Sequence, residues 1–169
     1  MHYEVMQWLK QNKRKYPDVF RGRALECGGN NAHWSARQFF GGCDYVSLDA
    51  RPGPGVDVVG LVHEYEAEPF DAVVSMLMLE HDPHWRESLR NMVHLLKDGG
   101  SLLLAWAGPG YQEHDLQDSP EPGYYRNLDA SEVVPIVNTD RFDNVRFEFV
   151  AGCFHLLATG KRGMICLIT

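Results

Sequence analysis

Three groups of side chains in this chain of 169 residues have the type and spacing to do chemistry. The first is a turn and a carboxylate. Arg23-Ala-Leu-Glu-Cys27 runs into the pair Gly28-Gly29, and Asp49 stands about twenty residues further on. A carboxylate at that distance from a strand-ending glycine turn can accept both hydroxyls of a ribose. The second group is imidazole: His81 and His84, with His114 downstream. Imidazole changes charge near neutral pH, so His81, placed just past an apolar run, is the candidate general base. The spacing His81-x-x-His84, with His114 as a third donor, also raises a metal question. No cysteine or carboxylate cluster at tetrahedral spacing accompanies it, so no metal is expected. The third group is aromatic: Trp106, Tyr111, Tyr124 and Tyr125 can wall an acceptor, while Trp85 is expected in the core.

The turn narrows the ligand. Gly28 and Gly29 allow a close backbone approach, but a pyrophosphate needs turn amides delivered from a helix N-terminus and a later glycine. Asn30, Asn31 and Trp34 hold the later positions here. NAD and FAD therefore fit poorly. A nucleoside that carries an amino acid instead of phosphates asks less of the turn, and an acidic Glu26 nearby suits a cationic ligand. S-adenosylmethionine has that chemistry.

These residues need a scaffold that gathers strand ends. Val5, Trp8 and Leu9 at helical spacing predict a helix over residues 3 to 15, stopped at Tyr16-Pro17. Strands are predicted at Arg23–Cys27, Tyr45–Leu48, Val56–Val62, Phe70–Leu77 and Ser101–Ala105, too apolar for half-exposed positions. Between the first two, a helix carrying Ala36, Phe39 and Phe40 should end at Gly41-Gly42. A further helix should start at Asp82-Pro83, bury Trp85, Leu89, Met92 and Leu96, and end at Gly99-Gly100. Residues 108 to 127, rich in proline and glycine, read as a long loop, a lid or substrate wall. Asp129-x-x-Glu132 reads as a capping box limited by Pro135. Val145, Phe147 and Phe149 alternate with charges, and with Phe154–Ala158 they predict a terminal antiparallel hairpin. The expected fold class is α/β: a Rossmann-like doubly wound sheet of seven strands, mostly parallel, in a single domain. Residues 1–20 would form its N-terminal helix, 21–107 its cofactor half, and 108–169 its lid, short helix and hairpin.

In order and spacing, "LECGG" (Leu25–Gly29), "DYVSLDARPGPGVDVVG" (Asp44–Gly60), "FDAVVSMLMLEHDPHW" (Phe70–Trp85) and "LLKDGGSLLLAWAG" (Leu95–Gly108) resemble the class I S-adenosylmethionine-dependent methyltransferases. Within them, the chain is similar to the small type-11 methyltransferase-domain proteins, over residues 20 to 160, and "YYRNL" (Tyr124–Leu128) looks like a segment these carry before their last helix. The resemblance implies a methyl transfer, with Glu26, Cys27 and Gly28 along the methionine part of the cofactor. It implies Asp49 on the ribose, Ala50 against adenine, Val62 and His63 in the adenine loop, and Ser75 and Met76 facing the cofactor. Two positions depart from that pattern. Leu61 stands where many relatives carry an aspartate that accepts from the adenine amino group, a bond worth about 1 kcal/mol, and Asn30 stands at a usual glycine.

Bulk properties exclude several classes. A formal charge of −7, with 23 acidic against 16 basic residues, offers no footprint for phosphate backbones, so nucleic acid is not expected as a partner. No apolar run approaches the roughly 20 residues that span a bilayer. The four cysteines form no C-x-x-C pair, which suits reduced thiols in the cytoplasm. The acceptor expected is a small molecule, or a saccharide or lipid precursor. A homodimer is open. Two other readings stay open beside methyl transfer: a catalytically silent relative acting as a partner or cofactor-binding protein, and a nicotinamide-dependent reductase.

Overall fold

In the computed structural model, residues 3–30, 35–114 and 119–163 are described; Asn31, Trp34 and Cys166 lie outside them. Helix α1 (Tyr3–Lys15) buries Val5, Trp8 and Leu9 and ends in Lys13, Arg14 and Lys15, where cations suit the helix dipole. The chain then enters β1 (Arg23–Cys27), β2 (Asp44–Asp49), a short β3 (Val58–Val59) and β4 (Phe70–Met76). After these come α2 (Trp85–His94), β5 (Leu96–Ala107), α3 (Ala130–Val137), β6 (Phe142–Val150) and β7 (Cys153–Lys161).

The strands form one seven-stranded sheet in the order β3-β2-β1-β4-β5-β7-β6. All pairs from β3 to β5 are parallel, and β7 joins β5 and β6 antiparallel. Strand order reverses between β1 and β4. Ligands of open parallel sheets bind outside the carboxyl ends at such a point. One face of the sheet packs Trp85, Leu89, Met92, Val133 and Val137 of α2 and α3 against Leu25, Val73 and Leu104. The other packs α1, Phe20 and Phe40 against Ala24, Val74 and Leu103. Burial on both faces is why these strands read as continuous apolar runs.

Three expectations shift. The element after the first turn is a single 3-10 turn over Ala36–Phe39, not an extended helix. Ser35 caps it, and Gly41-Gly42 leaves no length for more. The third strand is reduced to two residues, because Val62–Glu64 turns into 3-10 geometry and Leu61 precedes it as the cap. Leu96 belongs to β5 instead of the helix: the Leu95 amide already closes α2 on Asn91, and Leu96 pairs with Phe70. Gly99, at φ +81°, lies at the register shift that follows inside β5, where glycine alone adopts that backbone without strain. The capping box reads as expected: Asp129 accepts from the Ser131 amide, and Glu132 reaches back to the Asp129 amide. The hairpin turn is Ala151-Gly152, both residues at positive φ, as a two-residue connection between twisted strands requires.

Candidate functional site at the carboxyl ends of the strands

A cleft opens where β1, β2 and β4 end, lined by Gly28, Asp49, Ala50, Gly60, Leu61, Val62, Met78, His81, Asp82 and Pro120. Five of the residues singled out in the sequence meet here: Gly28, Asp49, Ala50, Val62 and His81. Each leaves a strand end or the turn directly after it, so local chain order carries it to the cleft.

Asp49 closes β2, and two backbone amides position its carboxylate: Asn30 N–H donates to Oδ2 (3.0 Å) and Arg51 N–H to Oδ1 (3.0 Å). The contact with Asn30 uses only the main chain, and Asn30 has no left-handed backbone to maintain. A residue other than glycine is therefore tolerated at that position. Leu61 sits in the cleft wall and brings no acceptor for an adenine amino group.

The turn itself is not a phosphate cradle. The Gly28 and Gly29 amides donate inward, to the Leu48 carbonyl (2.9 and 3.3 Å). Gly28 lies at φ +86°, and a Cβ there would stand 2.6 Å from Met78 Cβ. Turn and β4 loop thus touch only because the side chain is missing. Gly28→Ala is expected to lose about 1–2 kcal/mol from the left-handed backbone alone and to push Met78 into the cleft. Urea denaturation would check it, and wild-type stability would contradict the close packing.

On the other wall, Leu77 adopts φ 56°, left-handed for a branched residue, with its amide held by the Ala105 carbonyl (2.8 Å). Such strain concentrates where the chain must aim side chains. It turns Met78 and the 3-10 segment Leu79–His81 toward the cleft. Asp82 then accepts from the His84 amide (2.8 Å) and the Ser88 hydroxyl (2.5 Å), tying this segment to α2. The sequence reading placed Asp82 as the helix cap; the cap position is His84, whose side chain caps nothing.

Glu26, Cys27, Ser75, Met76 and His63 are placed elsewhere. Glu26 is buried and accepts from the Ser35 hydroxyl (2.5 Å) and the Ala36 amide (2.7 Å), so it pins the loop after the turn. Burial pushes its carboxyl upward despite those donors. Cys27 is fully buried, and its thiol is pushed far up by the same cause, which leaves it inert. Ser75 and Met76 are also buried, Met76 in the α1-side core, so their side chains face packing and not the cleft. His63 stacks on His84 (4.3 Å between rings) and lines a separate cleft with Glu64, Tyr65 and Asn91.

That stacking separates the His81-x-x-His84 pair. His81 instead meets His114 (5.1 Å between rings) and Tyr125 (5.1 Å), and His114 meets Tyr111 (5.5 Å) and Tyr125 (5.2 Å). Beneath lies Glu80, fully buried. Donor atoms of Glu80, His81 and His114 lie within 4.8 Å of one another; the sequence raised His81 with His114 as donors, but not Glu80. Neither Glu80 oxygen makes a hydrogen bond of normal geometry, although the Glu80 and Ala107 amides face the carboxyl. Burial raises it to about 7. Three hydrogen bonds bring the loop over it: Arg126 N–H to the Glu80 carbonyl (2.8 Å), Leu128 N–H to the Ala107 carbonyl (2.9 Å), and the Asn127 side-chain amide to the Tyr111 carbonyl (2.7 Å). His114 and Tyr111 also line an outer cleft with Phe149, so the cluster stands between that cleft and the strand ends.

A family model described as a methyltransferase domain matches residues 2–155. Phosphoethanolamine N-methyltransferase 2 of Caenorhabditis elegans is 28% identical over 107 residues, which is 61% of this chain and 24% of that protein. The chain thus spans about a quarter of that relative's length. The fold is similar to that of CalS10, described as a SAM-bound amino pentose methyltransferase from Micromonospora echinaspora, with TM-score 0.67, 17% identity, and coverage of 95% of this chain and 91% of that one. It is also similar to N-methyltransferase NodS from Bradyrhizobium japonicum, with TM-score 0.63, 17% identity, and coverage of 94% and 97%. A seven-stranded sheet reversing at β1 and β4, a cleft at that reversal, and a match over nearly the whole chain agree: the chain belongs to the methyltransferase-domain family of class I S-adenosylmethionine-dependent methyltransferases.

Proposed function

We propose that this protein transfers the methyl group of S-adenosylmethionine to a nitrogen of a small acceptor, a free amine or an amine-bearing saccharide or lipid precursor. The observation that carries the reading is the cleft in which Asp49, Ala50, Val62, Gly28 and His81 converge while the turn amides face inward. Asp49 suits ribose hydroxyls because it is a carboxylate at the cleft wall whose position two backbone amides fix. Ala50 and Val62 offer apolar contact to a base. The same inward amides disfavour a nicotinamide dinucleotide, whose pyrophosphate would need them.

When bound, the cofactor supplies an electrophilic methyl on a sulfonium. The residues of the chain do the rest. An amine arrives as an ammonium and cannot attack until it has lost a proton, and His81, at the cleft wall, is the base for that step. Glu80 beneath it, raised to about 7 by burial, supplies negative charge once it ionises, and the tyrosine rings nearby favour a cation. Two of the relatives, an N-methyltransferase of phosphoethanolamine and the N-methyltransferase NodS, support a nitrogen acceptor. No helix among the described residues is long and apolar enough to cross a membrane, which suits an acceptor met in solution.

Calorimetric titration tests the cofactor: S-adenosylmethionine and S-adenosylhomocysteine should bind, and NAD(P) should not. Absence of binding at millimolar ligand would favour the silent partner. With a panel of amines, His81→Gln should lower turnover by about 100-fold, the lower range for a lost general base, with cofactor affinity unchanged. Full turnover in that variant would remove His81 from the chemistry.

A further inference from the structure

The two edges of the sheet differ. β3 offers two residues, whereas β6 offers nine, with no partner strand on its outer side among the described residues. Exposed strand edges present unpaired amides and carbonyls, and proteins usually blunt them with proline, a bulge or a covering loop. β6 has neither a proline nor a shift in its register with β7. It also carries four of the large exposed apolar side chains: Val145, Phe147, Phe149 and Val150, with Phe149 51% exposed. Phe154 of β7 holds both rings: Phe147 stacks on it at 5.3 Å, and Phe149 meets it tilted at 4.5 Å. They form a fixed apolar ladder on one face.

The occupant follows from the opposite face. Arg146 and Glu148 flank Phe147, so an antiparallel copy of this strand centred on Phe147 sets Arg146 of one copy opposite Glu148 of the other, twice by symmetry. The same register sets Val145 opposite Phe149 and Phe147 opposite itself on the apolar face. Opposite charges and apolar–aromatic pairs are the combinations that stabilise cross-strand neighbours. Arg146 is already oriented on this face by its bond to the Tyr16 hydroxyl (2.9 Å), and it remains exposed.

We propose that β6 is the interface of an isologous homodimer in which two copies pair their β6 strands antiparallel about Phe147, continuing one sheet through both. The strand is self-complementary in charge and in apolar ladder only in that register. The cleft at the strand ends stays outside the interface.

Sedimentation equilibrium on the full chain at high micromolar concentration tests this. The wild type should be a dimer. Glu148→Arg and Arg146→Glu, each of which places like charges across the axis twice, should weaken dimerisation by roughly tenfold or more. The double variant Arg146→Glu/Glu148→Arg should restore it, since the pairs are then reversed in sign. Circular dichroism confirms that each variant is folded, and the two reciprocal single variants guard against failure of either. A monomeric wild type, single variants as dimeric as the wild type, or a double variant that stays monomeric would each overturn the interface. Capture of another protein by a monomeric chain would count against it in the same way.

Discussion

Asp49→Ala is expected to weaken S-adenosylmethionine binding by about 1–3 kcal/mol, five- to 150-fold in Kd, and to leave the fold intact. The carboxylate is the one charged acceptor at the end of β2 facing the cleft, and charge-assisted bonds to two hydroxyls are stronger than neutral ones. The substitution also releases the Asn30 and Arg51 amides, so the turn keeps its bonds to the Leu48 carbonyl but loses the one at Asn30. Asp49→Asn separates the two effects. It keeps an acceptor and loses the charge, so its affinity should fall between those of the wild type and Asp49→Ala. Isothermal titration on all three proteins, with thermal melts as a control, makes the comparison. Unchanged affinity in Asp49→Ala would move the ribose site elsewhere.

Glu80→Gln should change how stability depends on pH. The ordinary value of a glutamate, 4.5, is raised to about 7 in the folded protein because burial penalises the charged carboxylate. Between these values the folded state keeps the proton and the unfolded state releases it. Stability is therefore greatest below pH 4.5 as far as this group is concerned, and falls as pH rises through 7, by roughly 3 kcal/mol in all. Glutamine is of equal size and cannot ionise. The two proteins should be alike near pH 4.5, and the variant should be the more stable at pH 8 by about that amount. Urea denaturation at both pH values measures it. Parallel pH profiles would mean that Glu80 is paired or hydrated in solution, and would also weaken its assignment as the charge that draws an amine.

The parts of the site that were legible share one property: they follow directly from strand order. A run of apolar residues ending in glycine or aspartate places that residue at a carboxyl edge, so Gly28, Asp49, Ala50, Val62 and His81 could be assigned one segment at a time. The side chains of Cys27, Ser75 and Met76 are buried, which the sequence did not show, because it reveals that a residue is near a strand end but not which face it takes. In a sheet covered on both sides, each face is buried. The close approach of Met78 to the turn depends on the unusual backbone of Leu77 and on the missing Cβ of Gly28, which are far apart in the chain.

Local patterning was sufficient for the α/β class, the parallel strands, the capping box, the terminal hairpin and the carboxylate that closes β2, because each depends on residues a few positions apart. The grouping of Glu80, His81, His114, Tyr111 and Tyr125 was not legible in this way. It depends on three hydrogen bonds that fold the loop after β5 back across the end of β4. Spacing along the chain gives no sign of such a bond, since a loop of this length reaches many places at similar entropic cost. Packing chooses among them, and here it placed a second histidine and two tyrosines over a carboxyl that has no normal hydrogen bond of its own.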